Sequence, residues 1–132
     1  MIVRNRKFDL FLSWCALVLY ADVIFTLSSI ERLPFPFELK YHSDYLVHAV
    51  EYAILGILIA RTLRITWRFR SLEALVLVTV ILGVLYGISD EWHQSFVPNR
   101  TASPYDVAAD GVGTWIGALI WANSQNRSKR KA

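Results

Sequence analysis

Three short stretches of the chain place ionisable side chains where apolar ones would be expected. Asp44, His48 and Glu51 follow at offsets of four and three, which on a helix puts them in one narrow stripe. Ser89-Asp90-Glu91-Trp92-His93-Gln94 closes an otherwise apolar segment, and Ser103-Pro104-Tyr105-Asp106, followed by Asp110, opens another. Carboxylates and imidazoles grouped in this way can do general acid–base work, with His48 or Glu51 as the base, or hold a divalent cation. They can equally form a buried ion network that only specifies helix packing. His48 and His93 are not joined in a His-Glu-x-x-His pattern, so no motif points to zinc hydrolysis, and the identity of any metal stays open.

The segments that must position these groups are unusually apolar. With 132 residues, 55% of them hydrophobic and 19% charged, the chain has room for one domain, and that composition fits a membrane. Apolar runs lie at about Leu10 to Leu27, Tyr45 to Ala60, Leu72 to Ser89 and Tyr105 to Ala122, each close to the roughly 17–25 residues that cross a bilayer. A soluble bundle would carry charged outer faces at helical spacing, and these runs carry almost none. The sequence therefore predicts an all-α, four-helix transmembrane bundle over residues 1–122, with 123–132 as a polar, basic, frayed tail.

The charges orient that bundle. The pI of about 9.2 could point to nucleic acid, but eleven of the fourteen Lys and Arg residues are gathered at three places: Arg4, Arg6 and Lys7; Arg61, Arg64, Arg68 and Arg70; and Arg127, Lys129, Arg130 and Lys131. In a four-span arrangement these share one side, which the positive-inside rule makes cytoplasmic. Both termini and the Arg61–Ser71 loop are expected inside, with the Ser28–Ser43 and His93–Ser103 segments outside. The expected partners are the lipid bilayer and its anionic headgroups, not nucleic acid. No small-residue cleavage motif follows the first apolar run, so it is expected to be a retained span. The single cysteine, Cys15, allows no disulfide within the chain.

Each polar group has an expected place. Asp22, Thr26 and Ser29 share a face of the first helix, and Asp22 is expected to face protein. Pro34-Phe35-Pro36-Phe37 breaks the outer loop and suits the headgroup zone, either as an anchor or as a flap. Glu51 should lie on the order of 10 Å deeper than Asp44, where a carboxyl is either protonated or partnered. Asp90 and Glu91 stand at a helix C-terminus, where the macrodipole disfavours negative charge, so Arg100 is expected to pair with one of them. Asp106 can be explained by capping, with Ser103 as N-cap and Pro104 as the first helical residue, or by direct function. Gly83 and Gly87, and likewise Gly113 and Gly117, allow close helix approach beneath this acidic end. An outward-facing polar pocket follows, built from Asp44, His48, Glu51, Asp90, Glu91, Gln94, Arg100, Asp106 and Asp110.

These residues resemble the VanZ-like membrane protein family. The likeness rests on Asp44, His48, Glu51-Tyr52 and Gly56, then on the run from Gly87 to Asp106, then on Asp110, Gly113 and Gly117. The resemblance implies a multi-pass protein of the bacterial inner membrane that acts on the cell envelope; the founding member is associated with resistance to the glycopeptide teicoplanin. The pocket is then expected to bind a lipid-linked or glycopeptide-like envelope ligand through Arg100 and the carboxylates. The alternative is a metal-assisted intramembrane hydrolase or transferase, with Asp90 and Glu91 holding the cation. In the family's pattern a lysine often follows the first aspartate and an asparagine often stands at the position of Asp110. This chain has Tyr45 and Asp110, so its pocket is the more acidic, which favours a cation or a cationic ligand.

Overall fold

The computed structural model describes the backbone of residues 5–30 and 43–131, and the side chains of 5–30 and 45–126. Four helices follow in order: α1 (Arg6–Ser28), α2 (Ser43–Thr66), α3 (Leu72–Gln94) and α4 (Pro104–Lys131). The described residues contain no strand. Local chemistry marks the helix starts. The Asn5 side chain accepts from the Lys7 N–H, and the Ser71 side chain accepts from the Ala74 N–H, each satisfying a donor that the first turn leaves over. The Pro34–Phe37 turn of the outer loop falls outside the described residues.

Two boundaries differ from expectation. Helix α2 runs past Ala60 to Thr66, so Arg61 and Arg64 belong to its last turns and not to a loop. Helix α4 continues through Lys131, so residues 123–131 extend the helix. Extending an already packed helix adds one hydrogen bond per residue without a new nucleation step.

Among the described residues, three helices are long and apolar enough to cross a membrane: α1, the Tyr45–Thr66 part of α2, and α3. Helix α4 has the length, at 28 residues, but Asp106 and Asp110 dilute its hydropathy. Its place in the bundle comes from packing, because its polar stripe is turned inward against α2 and α3. Apolar side chains including Leu46, Leu77, Leu85 and Ile120 face outward. Exposed aromatics ring both ends, with Phe8 and Trp67 at one and Trp92, Phe96 and Tyr105 at the other, as at the two faces of a bilayer.

The closest helix pair is α2 with α4. A methyl group on Gly113 or Gly117 would meet the backbone carbonyls of Ala49 and Ala53, and one on Gly56 would meet the backbone of Thr114. The bundle is thus tight along Ala49-Ala53-Gly56 and Gly113-Thr114-Gly117. On α3, Leu75, Thr79, Gly83, Gly87, Asp90 and Gln94 form one buried line. Gly83 lies under the Thr114 side chain and Gly87 under Asp110.

Helix α1 flanks this trio and is tied on by side-chain hydrogen bonds. Thr62 donates to the Ser13 carbonyl at 3.2 Å, Tyr20 to the Glu51 carbonyl at 3.1 Å, and Tyr86 to the Ala21 carbonyl at 2.6 Å. Its inward line is Ser13, Leu17, Tyr20, Ile24 and Ser28. Asp22 lies off that line and is exposed, contrary to the expectation that it faces protein.

Candidate functional site

Antiparallel alternation of the helices brings the start of α2, the end of α3 and the start of α4 to one end of the bundle. His48 lies in the second turn of α2, Glu91 in the last turn of α3, Asp106 in the first turn of α4 and Asp110 one turn deeper. Asp90, Glu91, Gln94 and Asp110 are all buried. Asp106 is 9% exposed, and the His48 side chain 12%, so the two lie at the edge of the buried cluster.

The contacts are specific. His48 Nδ1 stands 3.0 Å from Asp110 Oδ1, and Asp110 can lie there because Gly87 has no side chain to displace it. Gln94 Nε2 donates to Asp90 Oδ2 at 3.0 Å, and the Ser103 N–H donates to Glu91 Oε2 at 2.7 Å. One ligand atom from each of His48, Glu91 and Asp106 falls within 4.8 Å of the other two. Asp90 Oδ1, Glu91 Oε1 and Asp110 Oδ2 are buried and have no hydrogen-bond partner among the described residues.

The end of α4 clarifies Asp106. Ser103 does cap the helix, since its Oγ accepts from the Tyr105 N–H at 3.2 Å. In a capping box the acid three residues on would take the N-cap N–H, but here that N–H goes to Glu91 of the preceding helix. Glu91 therefore offsets its unfavourable place at a helix C-terminus with a donor from the N-terminus of the next helix.

Arg100 corrects an expectation. It makes no ion pair with Asp90 or Glu91; its Nε donates to the Ile30 carbonyl and its guanidinium NH2 to the Leu27 carbonyl, each at 3.2 Å. The end of α1 leaves carbonyls unsatisfied, and the turn through Asn99, at φ 62°, carries the guanidinium to them. Arg100 thus bridges the α3–α4 connection to α1, still within electrostatic range of Glu51.

Other site residues separate in the same way. Glu51 is half-buried at the edge of the cluster, in electrostatic range of His48, Asp90 and Asp110. His93 turns to α1, where it stacks on Phe25 with ring centroids 4.3 Å apart and meets Ser29 Oγ at 2.9 Å. The Asp44 side chain lies outside the described residues. Tyr52 was not anticipated: it is fully buried, one turn below His48, in electrostatic range of Asp110 and Asp90. Tyr52 follows His48 at i, i+4 along the buried line of α2, and Glu51 stands beside it. A cleft of about 600 Å³ opens at the opposite, basic end of the bundle. It is lined by Arg6, Arg64, Arg68 and Trp67 and contains none of the carboxylate cluster.

Fold and site together define a small helical membrane protein with a carboxylate–imidazole cluster buried at one end. The VanZ/LLP1 family model matches residues 10–125, from the second turn of α1 almost to the end of α4, and the chain belongs to that family. No curated protein and no solved structure matches it.

Proposed function

We propose that the chain is a multi-pass protein of the bacterial inner membrane that acts on the cell envelope, by binding a lipid-linked or glycopeptide ligand at the acidic end of the bundle. On this reading the N and C termini are cytoplasmic and the cluster opens outward. One observation carries it: Asp90, Glu91 and Asp110 each keep a buried oxygen without a donor among the described residues. A network serving only to pack helices would pair its own groups, because ionisable residues among membrane helices are costly otherwise. Amines or a bound cation on the ligand side would satisfy those oxygens. Arg100, close to the surface at the same end, would meet an acidic group.

The test uses cells expressing the parent chain or Glu51→Gln, scored for susceptibility to a teicoplanin-type glycopeptide. The parent should shift susceptibility, and Glu51→Gln should abolish the shift while melting like the parent in detergent. A well-folded Glu51→Gln protein with full effect, or a parent with none, overturns the proposal. A second reading, metal-assisted hydrolysis or group transfer on the same envelope ligand, is favoured by the approach of His48, Glu91 and Asp106 to one another.

A further inference from the structure

We infer that His48, Glu91 and Asp106 form a binding site for one divalent cation of the zinc or manganese type, and that Asp110 is the residue that orients His48 for it. The inference deepens the metal-assisted reading by assigning the ligands, and it moves the site from the Asp90–Glu91 pair to a set drawn from three helices. Its first support is convergence: one donor atom from each of these residues lies within 4.8 Å of the other two, so a single ion could touch all three after small side-chain adjustments.

Its second support is independent of that clustering. Glu91 is only 5% exposed; its Oε2 is engaged by the Ser103 N–H, while Oε1 is buried with no partner among the described residues. A carboxylate oxygen left bare in the outer part of a membrane bundle needs either a proton or a cation.

The third support is the way His48 is held. Its Nδ1 meets Asp110 Oδ1 at 3.0 Å, which leaves Nε2 as the nitrogen available to a metal. A metal-bound histidine nearly always gives its other ring N–H to a carboxylate or carbonyl, which fixes the tautomer and raises the basicity of the ligating nitrogen. Asp110 does this from a fully buried position, and Gly87 beneath it leaves the carboxylate room to lie there.

The donor set also selects the ion. The imidazole nitrogen suits zinc and the two carboxylates beside it also suit manganese, whereas magnesium and calcium prefer oxygen throughout. Three protein ligands leave at least one coordination position open, the pattern of sites that engage a substrate and not of closed structural ones. A dication facing the Glu91 and Asp106 carboxylates would cancel their charge and present a positive centre to a phosphate or carbonyl oxygen of an envelope ligand.

The experiment uses the full chain, purified in detergent, stripped with chelator and titrated separately with Zn²⁺, Mn²⁺, Mg²⁺ and Ca²⁺. Binding is followed by calorimetry and by metal analysis after desalting. One Zn²⁺ or Mn²⁺ per chain is expected, with a rise in melting temperature on metal addition. His48→Gln and Asp106→Asn should each weaken binding by about 100-fold or more, and Asp110→Asn by about 10-fold to 100-fold, as expected of a group that supports a ligand. Substitution with Co²⁺ gives a readout that a merely structural role would not move: its visible spectrum should change in His48→Gln and stay near the parent's in Asp110→Asn. Glu73→Gln, at the far end of α3, should bind as the parent does. No stoichiometric binding by the parent, equal preference for Mg²⁺ or Ca²⁺, or undiminished binding in both folded ligand variants overturns the inference. Metal binding without any effect on glycopeptide susceptibility would leave this site standing and remove the envelope reading. An envelope effect without metal binding would do the reverse.

Discussion

Replacing glycine by alanine inside a helix ordinarily stabilises it by about 1 kcal/mol, because alanine loses less backbone entropy on folding. At Gly117 the structure reverses that sign. A methyl there would land against the Ala53 carbonyl oxygen, far inside the roughly 3.5–4.0 Å at which carbon contacts are attractive. Relief requires α4 to move away from α2 by roughly 1 Å or more, against the packing of both helices. Overpacking of this kind costs about 1–3 kcal/mol, so Gly117→Ala should be destabilising by about 1–2 kcal/mol after the propensity gain. Gly113→Ala, against the Ala49 carbonyl, should behave alike. It should also disturb the site, since the α2–α4 separation sets the 3.0 Å contact of His48 with Asp110. Gly111 is the internal control, because a methyl there meets only a Val84 side-chain carbon, at 3.1 Å. Gly111→Ala should therefore be neutral or stabilising by up to about 1 kcal/mol. Unfolding of the three variants in mixed micelles with rising SDS, followed by circular dichroism, gives the comparison. A Gly117→Ala protein as stable as Gly111→Ala would show that the α2–α4 contact is not at backbone distance, and the reasoning would fail.

Arg100→Ala should cost about 1.5–3 kcal/mol, the scale of hydrogen bonds from a charged group, by releasing α1 from the α3–α4 connection. Arg64→Ala, whose exposed side chain reaches only the Phe69 carbonyl at 3.4 Å, should stay within about 0.5 kcal/mol; equal losses in detergent melts would refute the distinction. Glu91→Ala should free the Ser103 N–H and loosen the first turn of α4, read as faster hydrogen exchange at Ser103 and Asp106 with the middle of α4 unchanged. Uniform exchange along α4 in parent and variant would contradict a role for Glu91 at that helix start. Reporter fusions after Arg70 and after Asn99 should report opposite compartments, with Arg70 cytoplasmic; the same compartment from both would overturn the proposed topology.

The sequence alone determined the helical class and the membrane setting, because both follow from local composition. Long apolar runs fix the number of helices, and Ser103 announces a helix start through its own side chain. It also determined which end of the bundle holds the ionisable groups, since alternating helix direction carries residue positions directly into depth. Asp90, Gln94 and Asp110 could be placed inward from their spacing to Gly83, Gly87, Gly113 and Gly117, because small residues mark the side on which helices approach.

Tertiary structure decided which of these groups meet. Helical spacing places Glu51 and Tyr52 almost equally well, and only the rotation of α2 against α4 puts Tyr52 in the buried line and Glu51 at its edge. Arg100 was matched to the nearest acids by charge, whereas the folded chain offers it the carbonyls of Leu27 and Ile30 at the end of α1, 73 and 70 residues earlier in sequence. Asp22 likewise shares a helical face with polar neighbours, yet α1 touches the bundle along a different line. The pairing of His48 with Asp110 and its approach to Glu91 and Asp106 join three helices through contacts between residues far apart in the chain. No local pattern encodes such a set, because it depends on the relative rotation and separation of whole helices, which the Gly113–Gly117 contact with Ala49 and Ala53 sets.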